Sequence, residues 1–262
     1  MKKQLINNLS IIFTVRVDSK ERLMNILATV AYYGRFTDCP LILLEADKNS
    51  RLEAIMKQQF PELRYIFVHD ENPIFYRTHY INEELRMVDT KHAAIIDSDI
   101  IVPIEQLKNA NEILTNSRNV MVYPYDGRFV GHDAYFSDKF RETIDPAVFD
   151  SLDGNQHLMF GFISVGGAFL VNVNRYRNFG WENEYFPGWG PEDFEREHRL
   201  DILGYKPARV NGKVHHLYHP RGLNSSNSDA SLMLATKREY CNVCSMNTEE
   251  LRNYINTWSW IN

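Results

Sequence analysis

The chain lacks any hydrophobic run long enough to cross a bilayer, and it has few cysteines. No window approaches the ~20 apolar residues that a membrane-spanning helix needs. Three cysteines in 262 residues argue against a secreted disulfide scaffold. The 29 basic side chains are outnumbered by 34 acidic ones, for a formal charge of −5, which argues against nucleic acid as a partner. We therefore expect a cytoplasmic protein, with room for peripheral association with the inner face of the membrane.

Two of the cysteines form a Cys-x-x-Cys pattern, which could indicate a zinc or redox site. A second cysteine pair is missing, and the residues around Cys241 and Cys244 are typical of a helix that places both thiols on one face. The interpretation we favour is that these cysteines contribute to packing.

The first hundred residues alternate between strand-like and helix-like segments. Strands are expected at 11–15, 40–44, 64–68 and 92–96, and helices after Asp18 or Ser19, at 51–59 and at 78–90. This alternation predicts an α/β fold with a mostly parallel central sheet flanked by helices. The second half is less regular, with strand-like segments at 119–123 and 162–172, a loop at 127–133 and a helical tail from about Ser228. Without repeats or an obvious linker, we expect a single domain.

An acidic pair follows the last of these strands. Asp97 and Asp99 come directly after an apolar run. They point the same way if the strand persists, and they can converge on one point if it ends there. A hard divalent cation is the simplest partner for two such carboxylates, and a solvated turn is the alternative. Ligands of parallel sheets bind beyond the carboxyl ends of the strands, where this pair falls.

Two further segments carry chemistry. Glu192 and Asp193 begin a helix after a glycine-rich turn that contains Trp189, an arrangement that suits a polar ligand stacked on a ring beside a carboxylate. Acids also favour the first turn of any helix, so both interpretations stay open. His216 and His219 belong to a segment with three histidines in five residues, and they approach each other only if the chain turns. Imidazole ligands beside Asp99 would favour Mn²⁺ over Mg²⁺, whereas a polar surface turn is the alternative.

The order of these segments resembles that of the GT-A glycosyltransferases. The similarity is to bacterial relatives of the β-1,4-galactosyltransferase carboxyl-terminal region and of the chondroitin-polymerase-like family 2 enzymes. It rests on four patches, which together span about residues 11–222: 13–18 with Arg22, Asp97-Ser98-Asp99 as a DxD motif, Gly166-Gly167 followed by 188–193, and His216-Leu217-Tyr218-His219. The chain departs from the animal pattern at Pro191, Phe194 and His216, where a glycine, an acid and a methionine are usual.

The resemblance implies a GT-A fold in which residues 1–103 bind the nucleotide, 104–222 bind the acceptor, and 223–262 form a helical tail. It implies inverting transfer of a hexose or N-acetylhexosamine, of galactose or GalNAc type, from a UDP-sugar to a glycan hydroxyl in surface polysaccharide synthesis. In this resemblance the metal, Mn²⁺ or Mg²⁺, would be held by Asp99, His219 and His216, and the nucleotide or its phosphates would lie near Arg16, Asp18, Arg77, Asp97 and Asp99. The acceptor would lie near Gly166, Gly167, Trp189 and Glu192. Asp193 would be the general base, with Glu192 beside it.

Two other functions fit parts of the pattern. A catalytically silent nucleotide- or sugar-binding protein would keep the fold and bind UDP without turnover. A nucleotidyltransferase would need a glycine-rich phosphate loop near the amino terminus, and residues 13–22 contain no glycine.

Overall fold

The fold is organised around a sheet of seven strands and a second sheet of four. A computed structural model of the chain describes residues 3–150, 157–161, 163–222, 224 and 229–261. Up to residue 116 the elements are β1 Leu9–Val15, α1 Lys20–Phe36, β2 Leu41–Asp47, α2 Glu53–Gln59, β3 Arg64–His69, α3 Arg77–Met87, β4 His92–Ile96, β5 Ile100–Ile101 and α4 Ile104–Asn116.

The remaining elements are shorter and complete both sheets. They are β6 Met121–Tyr123, β7 Arg128–Gly131, α5 Ala134–Thr143, β8 His157–Leu158, β9 Ala168–Asn172, α6 Val173–Arg177, α7 Glu192–Ile202, β10 Ala208–Arg209, β11 Lys213–His216, α8 Ala230–Cys244 and α9 Thr248–Ile255. Short 3-10 helices lie at Pro146–Phe149 and Ser259–Ile261. No helix among the described residues is both long and apolar enough to span a membrane.

The large sheet is mostly parallel, as the sequence predicts. Its strand order is β10-β6-β9-β4-β1-β2-β3, and only β9 runs antiparallel to its neighbours, β4 and β6. The small sheet has the order β5-β11-β7-β8, and β5 enters it only four residues after β4 leaves the large sheet. The carboxyl end of β4 therefore faces the small sheet, and the turn between β4 and β5 joins the two.

Both faces of the large sheet are covered by helices. Successive residues of β1 point to opposite faces: Phe13 packs against Tyr33 of α1 with ring centroids 5.8 Å apart, whereas the Thr14 hydroxyl bonds Glu84 of α3. The helix α4 packs against β6 and β9. Because both faces are buried, β1, β2, β4 and β9 are nearly continuous apolar runs, as is usual for parallel strands between helices.

Most predicted elements are found within a few residues, and two predictions need correction. Within the loop expected over 127–133, Arg128–Gly131 form the strand β7, because Phe129 and Val130 are buried where this segment pairs with the distant strand β11. The strand expected over 162–172 begins only at Ala168, since Gly167 has φ +79° and interrupts extended backbone. Residues 162 and 228 lie outside the described part of the chain, and α8 begins after the N-cap Asp229.

Glu84 makes the stability of this fold depend on pH. Its carboxyl group is buried in α3 beneath β1, and burial raises its pKa to about 8 from an ordinary value of 4.5. Between these values the folded protein keeps a proton that the unfolded chain has lost. The contribution of Glu84 to the free energy of unfolding therefore falls as pH rises through this window, by up to about 1.4 kcal/mol per pH unit.

We expect Glu84→Gln to remove this slope while keeping an acceptor for the Thr14 hydroxyl. Urea unfolding of the wild type and the variant from about pH 5 to about pH 8 measures the difference between their free energies of unfolding. This difference should move in favour of the variant as pH rises. Glu62→Gln changes an exposed carboxylate and should give a curve parallel to that of the wild type. A Glu84→Gln curve that is also parallel would show that Glu84 titrates normally in the folded state.

Candidate active site

Asp97 and Asp99 lie in the turn that leaves β4 at the carboxyl end of the parallel strands. The Asp97 N–H donates to the Gly167 carbonyl at 2.9 Å, and the Ile100 N–H donates to the Asp97 carbonyl at 3.0 Å. This turn sends the two side chains to different partners: Asp97 forms an ion pair with Arg77, whereas Asp99 faces two histidines. The strand thus ends before the pair, and the two carboxylates do not converge on one point.

Asp99, His216 and His219 form a group that could hold a cation. One ligand atom from each lies within 4.8 Å of the other two. Asp99 Oδ2 is 3.1 Å from Nε2 of His219, and Asp99 Oδ1 is 3.8 Å from Nε2 of His216. The Leu217 N–H donates to the Asp99 carbonyl at 2.8 Å, which ties the histidine segment to the acidic turn. One carboxylate and two imidazoles fit Mn²⁺, and other coordination positions remain for water or phosphate oxygens.

The surroundings shift the pKa values of Asp99 and His216 towards metal-binding protonation states, and that of His219 away from one. Burial works to raise the pKa of Asp99, but His216, His219 and Arg22 hold it well below its usual range. Burial lowers the pKa of His216. Burial also opposes protonation of His219, but its hydrogen bond to Asp99 raises the pKa of that imidazole overall. Asp99 is therefore ionised and His216 neutral, and both are the states that ligate metals. Arg22 lies 3.5 Å from Asp99 and 3.0 Å from Asp18.

A second group of acids lies where α7 begins. The Glu192 carboxylate is buried and accepts the Gly190 N–H at 3.0 Å; burial first, and then the neighbouring Asp193, raise its pKa. Asp193 Oδ1 is 2.8 Å from Nη2 of Arg196. Its Oδ2 lies against Gly166, where a side chain would collide with it. Any side chain at position 166 would therefore compete with Asp193 Oδ2 for the same space.

Two arginines that the resemblance assigns to the nucleotide are bound to protein groups. Arg77, at the start of α3, pairs with Asp97 and also interacts electrostatically with Glu192 and Asp193. Arg16 donates from Nε to the Ala46 carbonyl at 2.8 Å, and its two terminal nitrogens bond Asn72 and Asp70 at 2.7 and 2.6 Å. Arg77 therefore links Asp97 to the acids at the start of α7, whereas Arg16 fixes the segment that follows β3.

One cleft of about 1050 Å³ contains both groups. It lies between the carboxyl ends of the strands, the small sheet and α8. Trp189, which is 43% exposed, contributes a ring face to it. The sequence-predicted residues that line the cleft are Arg16, Arg77, Asp97, Asp99, Gly166, Gly167, Trp189, Glu192, Asp193, His216 and His219.

Three residues do not have the surroundings that the sequence predicted for them. Asp18 does not line the cleft; its carboxylate pairs with Arg22 and so acts on the site only through that arginine. Cys241 and Cys244 are exposed on α8, so the expected packing role is wrong, and Cys241 lines the cleft. Cys244 Sγ is 3.7 Å from His198, and within the described residues neither cysteine belongs to a group of three metal-ligating side chains.

Sequence reasoning overlooked Arg196, and it listed Arg22 in a motif without giving it a role. Both have a spacing signal, since Arg22 follows Asp18 by four residues and Arg196 follows Asp193 by three, which are neighbouring positions on a helix. Their second partners, Asp99 and Glu182, are distant in the sequence and come close only in the folded chain.

Solved structures with a similar fold were found, although no protein-family model and no curated protein sequence matches the chain. Glucosyl-3-phosphoglycerate synthase from Mycobacterium tuberculosis, in complex with Mn²⁺, UDP and phosphoglyceric acid, is 16% identical over 89% of this chain and 78% of its own, with a TM-score of 0.53. The same enzyme with UDP-glucose gives a TM-score of 0.54 over 89% and 79%. GalNAc-T7 with UDP, GalNAc and Mn²⁺ is 12% identical over 94% of this chain and 50% of its own, with a TM-score of 0.57.

These similarities establish the fold. The chain has the α/β architecture of the GT-A nucleotide-sugar transferases, with a mostly parallel central sheet flanked by helices.

Proposed function

We propose that this chain is a metal-dependent, inverting glycosyltransferase that uses a UDP-sugar. The observation that carries the proposal is that one cleft holds both the cation group Asp99–His216–His219 and the carboxylate of Asp193. A leaving diphosphate needs its charge neutralised, and an acceptor hydroxyl needs a base. The similar structures of glucosyl-3-phosphoglycerate synthase and GalNAc-T7 contain UDP and Mn²⁺, which supports this choice of donor and metal.

The donor side of the site would use three ligands and one ion pair. Asp99, His216 and His219 would hold Mn²⁺ or Mg²⁺, which supplies Lewis-acid stabilisation to the departing diphosphate when bound. Asp97, held by Arg77, would lie at the ribose or beside the cation. Arg77 would thereby orient the nucleotide through Asp97, while Arg16 would shape the nucleotide pocket by fixing the segment after β3.

On the acceptor side, the acids at the start of α7 would activate a sugar hydroxyl. The hydroxyl oxygen forms the new bond to the anomeric carbon, the bond from that carbon to the diphosphate breaks, and its electron pair leaves with UDP. The hydroxyl proton passes to the Asp193 carboxylate, which acts as general base. Glu192 would bond the acceptor, Trp189 would stack on a sugar face, and Gly166 and Gly167 would leave room for the acceptor.

The type of sugar and the biological setting are proposed on the basis of the resemblance. We propose a hexose or N-acetylhexosamine, with galactose or GalNAc favoured, and a glycan acceptor in surface polysaccharide synthesis. Residues 1–103 would form the nucleotide-binding part, 104–222 the acceptor part and 223–262 the helical tail.

A donor screen tests the reaction. UDP-galactose, UDP-GalNAc, UDP-glucose and UDP-GlcNAc are each incubated with the protein, Mn²⁺ and a panel of sugars, and UDP release is measured with and without chelator. We expect metal-dependent release with at least one donor. Tight UDP binding without any turnover would instead indicate the silent binding protein.

A further inference from the structure

Arg196 connects the candidate base to a buried glutamate. Its Nη2 is 2.8 Å from Asp193 Oδ1, and the same nitrogen is 2.8 Å from Glu182 Oε2. Its Nε donates to Glu182 Oε1 at 2.9 Å. Asp193 and Arg196 are one helical turn apart on α7, whereas Glu182 lies in the segment before that helix. The guanidinium therefore ties the start of α7 to a separate part of the chain.

The arginine has no freedom to move away from Asp193. Its side chain is fully buried, and the guanidinium carbon lies 4.0 Å from the centre of the Phe169 ring in β9. Glu182 is equally buried, and its Oε1 also accepts the Tyr176 hydroxyl at 2.5 Å. Arg196 is thus held by a bidentate ion pair and a ring face, and the glutamate of that pair is itself held by Tyr176.

This arrangement is a poor way to gain stability alone. Buried ion pairs often contribute no more than apolar residues of similar size, because both charges must be desolvated. In addition, the Arg196 Nη1 is buried without a hydrogen-bond partner among the described residues. What the arrangement does provide is a fixed orientation for one carboxylate that reaches the cleft.

We propose that Arg196 is a positioning residue, which fixes the orientation of Asp193. The inference rests on the proposed function for its catalytic consequence. Arg196 occupies Oδ1 and leaves Oδ2, beside Gly166, as the oxygen that accepts the hydroxyl proton. Because a guanidinium does not lose its own proton, it holds the carboxylate in place throughout the transfer.

Other charged or titratable groups also face Asp193. Arg77 comes from α3, Asp97 from the turn after β4, Tyr125 from the segment after β6, and Glu192 precedes Asp193 in the chain. Arg77 is the other cation, and it is shared with Asp97. Arg196 is the cation with a direct hydrogen bond to Asp193, so its removal should have a separate and measurable effect.

The test replaces Arg196 and Glu182 together, so that neither is left as an unpaired buried charge. In Arg196→Met/Glu182→Gln, the NMR signal of the Asp193 carboxyl carbon, assigned with Asp193→Asn, should move from its wild-type position at one fixed pH, because the carboxylate loses its hydrogen bond to Arg196. In donor assays kcat should fall by up to about 10²-fold, with KM for the UDP-sugar unchanged. Arg196→Lys should recover part of kcat, since a cation returns without the planar fork.

An equally buried ion pair on the same helix gives a matched control. Arg199 lies 2.8 Å from Glu195, so Arg199→Met/Glu195→Gln should leave the Asp193 carboxyl signal and kcat unchanged. An Asp193 carboxyl signal at the wild-type position in both double variants overturns the proposal. So does a fall in kcat that is equal in the two. If the wild type turns over no donor, the proposed function fails, while the Asp193 carboxyl signal still decides whether Arg196 positions Asp193.

Discussion

Replacement of Asp193 by asparagine should lower the rate of sugar transfer by about 10²–10⁴-fold, the usual contribution of a positioned general base. The amide keeps the shape of the side chain and an oxygen for Arg196, but it cannot accept the hydroxyl proton. The cation group on Asp99 is untouched, so Mn²⁺-dependent UDP binding should be retained. Steady-state UDP release together with calorimetric titration of UDP measures both. Near-normal turnover would show that Asp193 is not the general base.

Gly166 offers a second way to disturb the same carboxylate without removing it. An alanine Cβ at this position would collide with Asp193 Oδ2, so Gly166→Ala should displace the carboxylate and lower kcat. Gly161→Ala is the matched control, since its Cβ would meet no atom within 4 Å. Equal activity of the two alanine variants would show that the position of Oδ2 is not critical.

The sequence could predict the sheet but not the separation of the acidic pair. Strand–helix alternation and continuous apolar runs identify β1 to β4, because parallel strands buried on both faces carry that pattern locally. The different fates of Asp97 and Asp99 depend on Arg77, which comes from α3, and on histidines more than a hundred residues later. Nothing in the Asp-Ser-Asp tripeptide encodes those partners.

The strand β7 and the role of Arg196 show the same limit. The segment 128–131 has only two large apolar residues, and it becomes a strand because β11, more than eighty residues away, pairs with it. Arg196 stands at a visible helical spacing from Asp193, yet its anchor Glu182 precedes α7 and lacks any periodic relation to it. Contacts set by helical or strand period can be predicted from the sequence, whereas contacts between elements require the fold.

The largest expected effect on donor binding is that of the cation group. Asp99→Asn removes the only carboxylate of the group Asp99–His216–His219 and leaves Arg22, paired with Asp18 alone, beside the two histidines. Loss of a second-shell partner of a metal commonly costs 10–100-fold in affinity, so loss of this ligand should weaken Mn²⁺ binding by at least about 100-fold. Because the diphosphate would then lack its counter-charge, Mn²⁺-dependent UDP binding and transfer should be lost together.

Mn²⁺ binding can be measured by electron paramagnetic resonance of the free ion. A matched control then separates the loss of a metal ligand from a general loss of negative charge in the cleft. Asp133→Asn is the matched control, because Asp133 lines the same cleft, lies outside the cation group, and its oxygen caps α5, a hydrogen bond that asparagine retains. This control should bind Mn²⁺ as the wild type does. His219→Ala should weaken Mn²⁺ binding because it removes a nitrogen ligand. Asp99 stays ionised in this variant. If Asp99→Asn and Asp133→Asn bind Mn²⁺ equally, the cation is held elsewhere and the two-histidine site is wrong.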